Sequence, residues 1–131
     1  VRKKKLLDSF ALLAYLKKED SYEIVKSFLS SDDVLLLIND INLGETFYIL
    51  AKERSIEKAE YFINTIFPSL PLTQIANTFN DVLEAAKIKA EHSISYADCF
   101  AVATAIKENA PIVTGDPEFK KVQKLVKIEW L

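Results

Sequence analysis

The chain of 131 residues has one cysteine, one histidine, two glycines and no methionine. A single cysteine, Cys99, excludes an intramolecular disulfide and any cysteine-built zinc site. Its neighbours are small and apolar, so packing is its expected role. A single histidine, His92, leaves no partner for a histidine-based zinc or iron centre, and no cysteine–histidine pair is present for nucleophilic catalysis. With only Gly44 and Gly115, there is no glycine-rich loop to cradle phosphates, which excludes ATP or GTP binding of the P-loop kind.

No apolar run approaches the ~18 residues of a membrane span. The start, Val1-Arg2-Lys3-Lys4-Lys5, is basic, but Asp8 interrupts the apolar stretch behind it, which argues against a secretory signal. A soluble, cytoplasmic protein is the expectation. A large excess of either charge is also lacking. The formal net charge is −2, which does not by itself point to a nucleic-acid partner. Lysines gather at Lys3 to Lys5 and at Lys120, Lys121, Lys124 and Lys127, where solvated ends of elements are the simplest reading. Any chemistry must therefore come from carboxylates, hydroxyls, lysines or an oxygen-ligated metal.

What is present is apolar material in ordered runs. Half of the chain is hydrophobic, enough for one core within the usual size of one domain. The pattern predicts strands at Lys3–Leu7, Val34–Ile38, Leu70–Leu72, Pro111–Thr114 and Val126–Trp130. Val34-Leu35-Leu36-Leu37-Ile38 is continuously apolar, as in a parallel strand covered on both faces. Helices are predicted at Ser9–Leu16, Ser21–Leu29, Leu43–Arg54, Ile56–Phe67, Ile75–Glu91 and Tyr96–Asn109. The last is apolar almost all round and should be buried, with Ala97, Ala101 and Ala105 letting it lie close to a sheet. Strands alternate with helices and no linker or repeat intervenes. The expected fold is a single α/β domain over residues 1–131, three-layered α/β/α with a mostly parallel, Rossmann-like central sheet.

Most acids, among them Glu19, Asp20, Glu53, Glu57, Glu60 and Glu84, sit among polar neighbours and should be solvated. Four are placed differently. Asp8 follows the first strand, Glu45 falls in the first turn of the helix after the second, and Asp116 follows the strand Pro111–Thr114. Asp98 opens the buried helix, which must run antiparallel to the strand after it. All four therefore fall at the carboxyl edge of a parallel sheet, where open α/β folds place their ligands.

Each acid alone has an ordinary structural explanation. Asp8 or Ser9 can cap the first helix, and Asp116-Pro117 resembles an N-cap with proline at N1. Ser95 to Asp98 resembles a capping box, and Asn42 to Glu45 a similar arrangement. Their conjunction is what needs another cause. A carboxylate on the dry helix of Asp98 costs several kcal/mol unless paired or metal-bound. Clustered carboxylates also raise one another's pKa. A hard cation, Mg²⁺ or Mn²⁺, relieves both penalties. Such a site suits phosphoryl chemistry, and hydrolysis of a phosphodiester is the natural reaction.

The stretches that carry these acids also resemble the motifs of PIN domains. Leu6-Leu7-Asp8-Ser9-Phe10-Ala11 is similar to the family's opening motif, and Leu43-Gly44-Glu45-Thr46 to its second. Ser95-Tyr96-Ala97-Asp98-Cys99-Phe100-Ala101 is similar to the third, and Val113-Thr114-Gly115-Asp116-Pro117 to the fourth. Order and spacing match along nearly the whole chain, and the length suits the compact toxin ribonucleases of the VapC type.

The resemblance implies a metal-dependent endoribonuclease cutting single-stranded RNA. Asp8, Glu45, Asp98 and Asp116 would gather around Mg²⁺ or Mn²⁺, and Ser9 and Thr114 would be supporting hydroxyls. Glu118 stands where many relatives carry another Asp. The resemblance also implies a homodimer inhibited by a small antitoxin. The alternative within the same fold is an RNA-binding or assembly subunit without strong nuclease activity. A phosphorylated receiver domain fits poorly, since Asp8 is unpaired and no Asp follows Leu70–Leu72. Three aromatic or titratable residues are set aside: His92 as a surface or capping residue, Trp130 as core on the inner face of the last strand, and Tyr96 as packing.

Overall fold

A computed structural model describes all residues 1–131. Its centre is a five-stranded sheet in which every recorded pairing is parallel, ordered β3-β2-β1-β4-β5. The strands are β1 (Lys3–Leu7), β2 (Val34–Asn39), β3 (Leu72–Ile75), β4 (Ile112–Thr114) and β5 (Ile128–Trp130). The apolar runs explain the arrangement. Adjacent residues of one strand face opposite sides of the sheet. Leu6 and Leu37 enter one core, with Phe100, Val102 and Ile112. Leu7, Leu36 and Ile38 enter the other, with Leu12, Phe62 and Val113. Each of these side chains is covered, and burying a leucine this fully contributes about 2 kcal/mol.

One face is covered by α1 (Ser9–Leu16), α2 (Tyr22–Leu29), α3 (Asp40–Glu53) and α4 (Ile56–Tyr61). The other is covered by α6 (Phe79–Glu91) and α7 (Tyr96–Glu108), and α5 (Phe67–Ser69) leads into β3. The three-layer expectation holds, and the sheet is wholly parallel rather than mostly so. In α7, Ala101 and Ala105 are buried as expected. Asn109 closes this helix in the left-handed conformation (φ 53°) that asparagine tolerates.

Four local expectations are corrected. First, α3 begins at Asp40, not Leu43. Asn39, the last residue of β2, caps it by accepting the Asn42 N–H at 2.7 Å, so strand runs into helix without a loop. Second, the helix predicted over Ile56–Phe67 passes through a wide π turn at Phe62–Ile66 and continues to Ser69. Pro68 lacks an N–H and its ring crowds the carbonyl four residues earlier, and the wider turn makes room for it. Third, Ile75 ends β3 rather than opening α6, which starts at Phe79 behind a capping box formed by Thr78 and Asp81. Apolar spacing alone had carried that helix one turn too far. Fourth, Trp130 is 41 % exposed. It stands on β5 at the sheet's edge, where no helix is laid over it.

His92 is the C-cap residue of α6, with Nδ1 3.2 Å from the Ile88 carbonyl. Tyr96 packs edge-on against Phe100 with ring centroids 5.1 Å apart, yet keeps nearly half its surface in solvent. No helix is long and apolar enough to cross a membrane.

Candidate active site

The strand order fixes where a ligand can bind. From central β1 the chain crosses to β2 on one side and, much later, β4 lies on the other. The helices that follow β1 and β2 start at the carboxyl edge, and this divergence opens a crevice there. Asp8 is the first residue beyond β1 and lies in that crevice. A cavity of about 380 Å³ occupies it, and its walls include Asp8, Glu45, Asp98, Asp116 and Glu118. All four sequence-predicted acids meet here, and so does Glu118.

Each acid is held by its own local structure. Asp8 caps α1, its Oδ1 accepting the Ala11 N–H at 2.9 Å. Its Oδ2 accepts the hydroxyl of Thr114 at 2.5 Å. The same Thr114 Oγ1 accepts the N–H of Asp116 at 3.0 Å, so one fully buried threonine links the first acid to the last. Asp116 caps the 3₁₀ turn Pro117–Val122, with Oδ1 accepting the Glu118 N–H. Across the cavity Ser9 donates to Glu45 Oε1 at 2.5 Å. Because α3 starts early, Glu45 lies in its second turn, not its first.

Ser95 Oγ accepts the N–H of Asp98 at 3.2 Å, but the Asp98 carboxylate does not return the bond that would complete a capping box. The Asp98 carboxylate is left to face the cavity. Ser9 and Thr114 thus both have partners among the acids, as supporting hydroxyls would.

Burial makes these carboxyls reluctant to ionise. Burial of Asp8 raises its pKa from 3.8 to about 7, against the lowering pull of the Thr114 and Ala11 hydrogen bonds. The nearby charges of Asp98 and Asp116 raise it further. Asp98 is raised to about 6, again chiefly by burial, with Ser95 opposing and Asp116, Glu45 and Glu118 adding repulsion. The five acids therefore lie within one another's fields, and the cluster is electrostatically unsatisfied. Burial also raises the thiol pKa of Cys99, in keeping with an inert packing residue.

An all-oxygen donor set of this kind fits a hard divalent cation. No three His, Cys, Asp or Glu side chains stand close enough to one another to ligate a single ion as they are. Magnesium does not need them to, since it keeps several waters and takes only one or two carboxylates directly. Asp8 and Asp98 are the deepest candidates, and Asp116 is half-buried. Glu45 is half-buried like Asp116, and Glu118 is exposed.

The lysine clusters part company. Lys3 to Lys5 open β1, at the opposite end of the sheet from Asp8. Lys4 pairs there with Glu108 and Lys5 with Glu129. Lys121 is at the cavity's rim: its Nζ is 2.7 Å from Glu118 Oε2 and donates to the Ser93 carbonyl at 3.1 Å. A second hollow of similar size lies between α6 and α7. Most of its charges are already matched, Asp81 with Lys107 and Glu84 with Lys87, and Glu91 is the one acid on its wall without an ion pair.

Comparison with known proteins agrees with this architecture. No curated protein matches the chain by sequence. Among solved structures, it is similar to VapC20 of Mycobacterium tuberculosis, described as a sarcin–ricin loop cleaving toxin. The TM-score is 0.75 at 17% identity, over 90% of this chain and 94% of that one. It is similar to VapBC2 of Rickettsia felis bound to a promoter DNA fragment, with a TM-score of 0.77, 22% identity and 98% of both chains covered. It is also similar to a toxin–antitoxin complex from Klebsiella pneumoniae, with a TM-score of 0.66 and 14% identity over 95% of this chain and 99% of that one. The family model for the PIN domain matches residues 5–125. The chain belongs to the PIN domain family.

Proposed function

We propose that this PIN domain is a metal-dependent endoribonuclease and the toxin of a toxin–antitoxin pair. The observation that carries the reading is the convergence of Asp8, Asp98 and Asp116, with Glu45, on one cavity at the sheet's crossover point. The similar structures are described as toxins or toxin complexes, one of them cleaving the sarcin–ricin loop, which supports the same reading. Asp8, Asp98 and Asp116 would hold Mg²⁺ or Mn²⁺, with Glu45 binding it or shaping its water shell. The bound cation would supply Lewis acidity and neutralise charge at the scissile phosphate.

The remaining work falls to residues described above. Thr114 fixes the Asp8 carboxylate and the backbone of Asp116 in one arrangement. Ser9 orients Glu45. Burial keeps Asp8 and Asp98 dry enough that their charge acts at close range rather than through water. A cytoplasmic location, a homodimer and a small inhibitory antitoxin complete the proposal.

The test is cleavage of single-stranded RNA by the purified protein. Activity is expected with Mg²⁺ or Mn²⁺, lost on chelation, and reduced by a factor on the order of 10²–10³ in Asp98→Asn. Undiminished cleavage by Asp98→Asn, or by protein stripped of metal, overturns the reading.

Five carboxylates repel a polyanionic substrate, so a cation at the rim is required, and Lys121 is placed to meet a phosphate. Lys121→Glu is expected to raise KM for RNA about tenfold, as loss of a phosphate contact does, with little change in kcat. Charge reversal at Lys3, at the far end of the sheet, is expected to leave both constants unchanged. Steady-state kinetics on one RNA at fixed salt checks the pair.

A further inference from the structure

We propose that Asn39 and Asn42 are positioning residues that set Glu45 and Asp98 at their working separation; this rests on the reading of the acid cavity as a metal site. Both asparagines are completely buried. Asn39 Nδ2 donates to the Phe100 carbonyl at 3.2 Å and to Thr104 Oγ1 at 2.9 Å. Asn42 Nδ2 donates to the Ala97 carbonyl at 3.2 Å. Asn39 Oδ1 accepts the Asn42 N–H, which joins the two. Ala97, Phe100 and Thr104 are three and four residues apart, so they form one stripe along α7.

The strap thus ties the first turn of α3 to α7 over two of its turns. Glu45 lies three residues beyond Asn42 on the first helix, and Asp98 is next to Ala97 on the second. A slip or rotation between these helices would move the two acids relative to each other.

Stability alone does not call for this chemistry. Asn39 also caps α3, but at Asn42 an apolar side chain could pack α3 against α7 without burying an amide, and buried amides cost free energy unless fully bonded. Asn42 Oδ1 is buried with no hydrogen-bond partner, so the strap is retained although one of its atoms is unsatisfied. Directional hydrogen bonds fix one rotational setting of two helices, whereas a smooth apolar contact tolerates sliding. Nor does Asn42 reach the ion site itself, since it is absent from the cavity wall. It acts through the helix that carries Asp98.

Asn42→Leu keeps the branched shape and removes both the bond to Ala97 and the unpaired carbonyl. Two readouts on the full chain test the proposal. Mn²⁺ affinity by calorimetric titration is expected to fall about tenfold, the size of effect seen when a supporting group around a metal site is lost. The metal-free melting temperature should stay near that of the unsubstituted protein. Amide exchange over residues 98–101, measured without metal, is expected to quicken about tenfold while β4 is unchanged.

Unchanged Mn²⁺ affinity together with unchanged exchange overturns the strap. Faster exchange with no Mn²⁺ uptake by either protein supports the strap and overturns the metal-site reading instead. Asn42→Ser, which removes the amide without adding apolar bulk, is expected to give the same pattern and serves if the leucine variant folds poorly.

Discussion

Asp8→Asn is expected to abolish RNA cleavage and, at the same time, to stabilise the metal-free protein above neutral pH. The two effects share one cause. Asp8 ionises near pH 3.8 in the unfolded chain and near 7 in the folded one, because folding takes its carboxyl out of water. Between those values the folded state holds a proton that the unfolded state has released. Stability therefore falls as pH rises through this window and levels off above it. The shift corresponds to a loss of about 4 kcal/mol between the two plateaus.

Asparagine cannot ionise and escapes that loss. Its side-chain oxygen can still accept from Ala11, and its amide can donate to Thr114 Oγ1. Thermal unfolding of metal-free protein should give nearly coincident values for the two proteins near pH 4. The gap should widen steadily to pH 7, with the variant the more stable. Parallel curves would show that Asp8 is not the carboxyl responsible. Added Mn²⁺ should then raise the melting temperature of the unsubstituted protein alone, and more strongly above pH 7 than below pH 6, because binding must expel the protons held at Asp8 and Asp98.

Thr114→Val is expected to give the second large effect, with the opposite sign for stability. Valine fills the same space without the hydroxyl. Two bonds disappear, to Asp8 Oδ2 and from the Asp116 N–H, and two buried or half-buried groups lose partners. A loss of about 2–4 kcal/mol follows for bonds of this kind, one of them to a carboxylate. The chemistry should suffer as well. The Thr114 bond is the strongest influence holding the Asp8 pKa down, so without it Asp8 stays protonated to higher pH. The Mn²⁺ requirement and the pH of half-maximal cleavage should both rise. Thr114→Ser restores the hydroxyl and should recover both. A serine variant as impaired as valine would mean that the methyl group, not the bond, is what matters.

Much of this site was legible in the sequence because it depends on strand ends. β2 declares itself by a continuous apolar run, β1 by Leu6-Leu7 and β4 by Ile112-Val113, and an acid directly after a parallel strand has only one edge to occupy. Asp8, Asp98 and Asp116 are therefore placed correctly by pattern and topology alone. Glu45 was assigned to the right edge but the wrong helical turn, since Asn42 and Asn39 are both plausible caps and only the end of β2 decides between them. The hydroxyl partners of the acids were less accessible. Ser9 reaches a residue 36 positions away and Thr114 one 106 positions away, distances that no local pattern spans. The same limit hid the strap from Asn39 and Asn42 to α7. The exposure of Trp130 was missed for a related reason: alternation marks a strand, but not whether anything covers it.

The bond from Thr114 to Asp8 has a consequence for the order in which the protein is made. Its two ends are 106 residues apart, and the strand carrying Thr114 lies directly against the first strand of the chain. Until β4 has been made and has left the ribosome, β1 has one bare side and Asp8 has no hydroxyl to meet. Early acids can find their helices, but nothing yet closes the crevice around them. Interrupted or unfinished chains should therefore be harmless, and competence should come abruptly once β4 docks. Under the proposed reading as a toxin ribonuclease, a site completed only when β4 docks allows an inhibitor to be already present when the activity first appears.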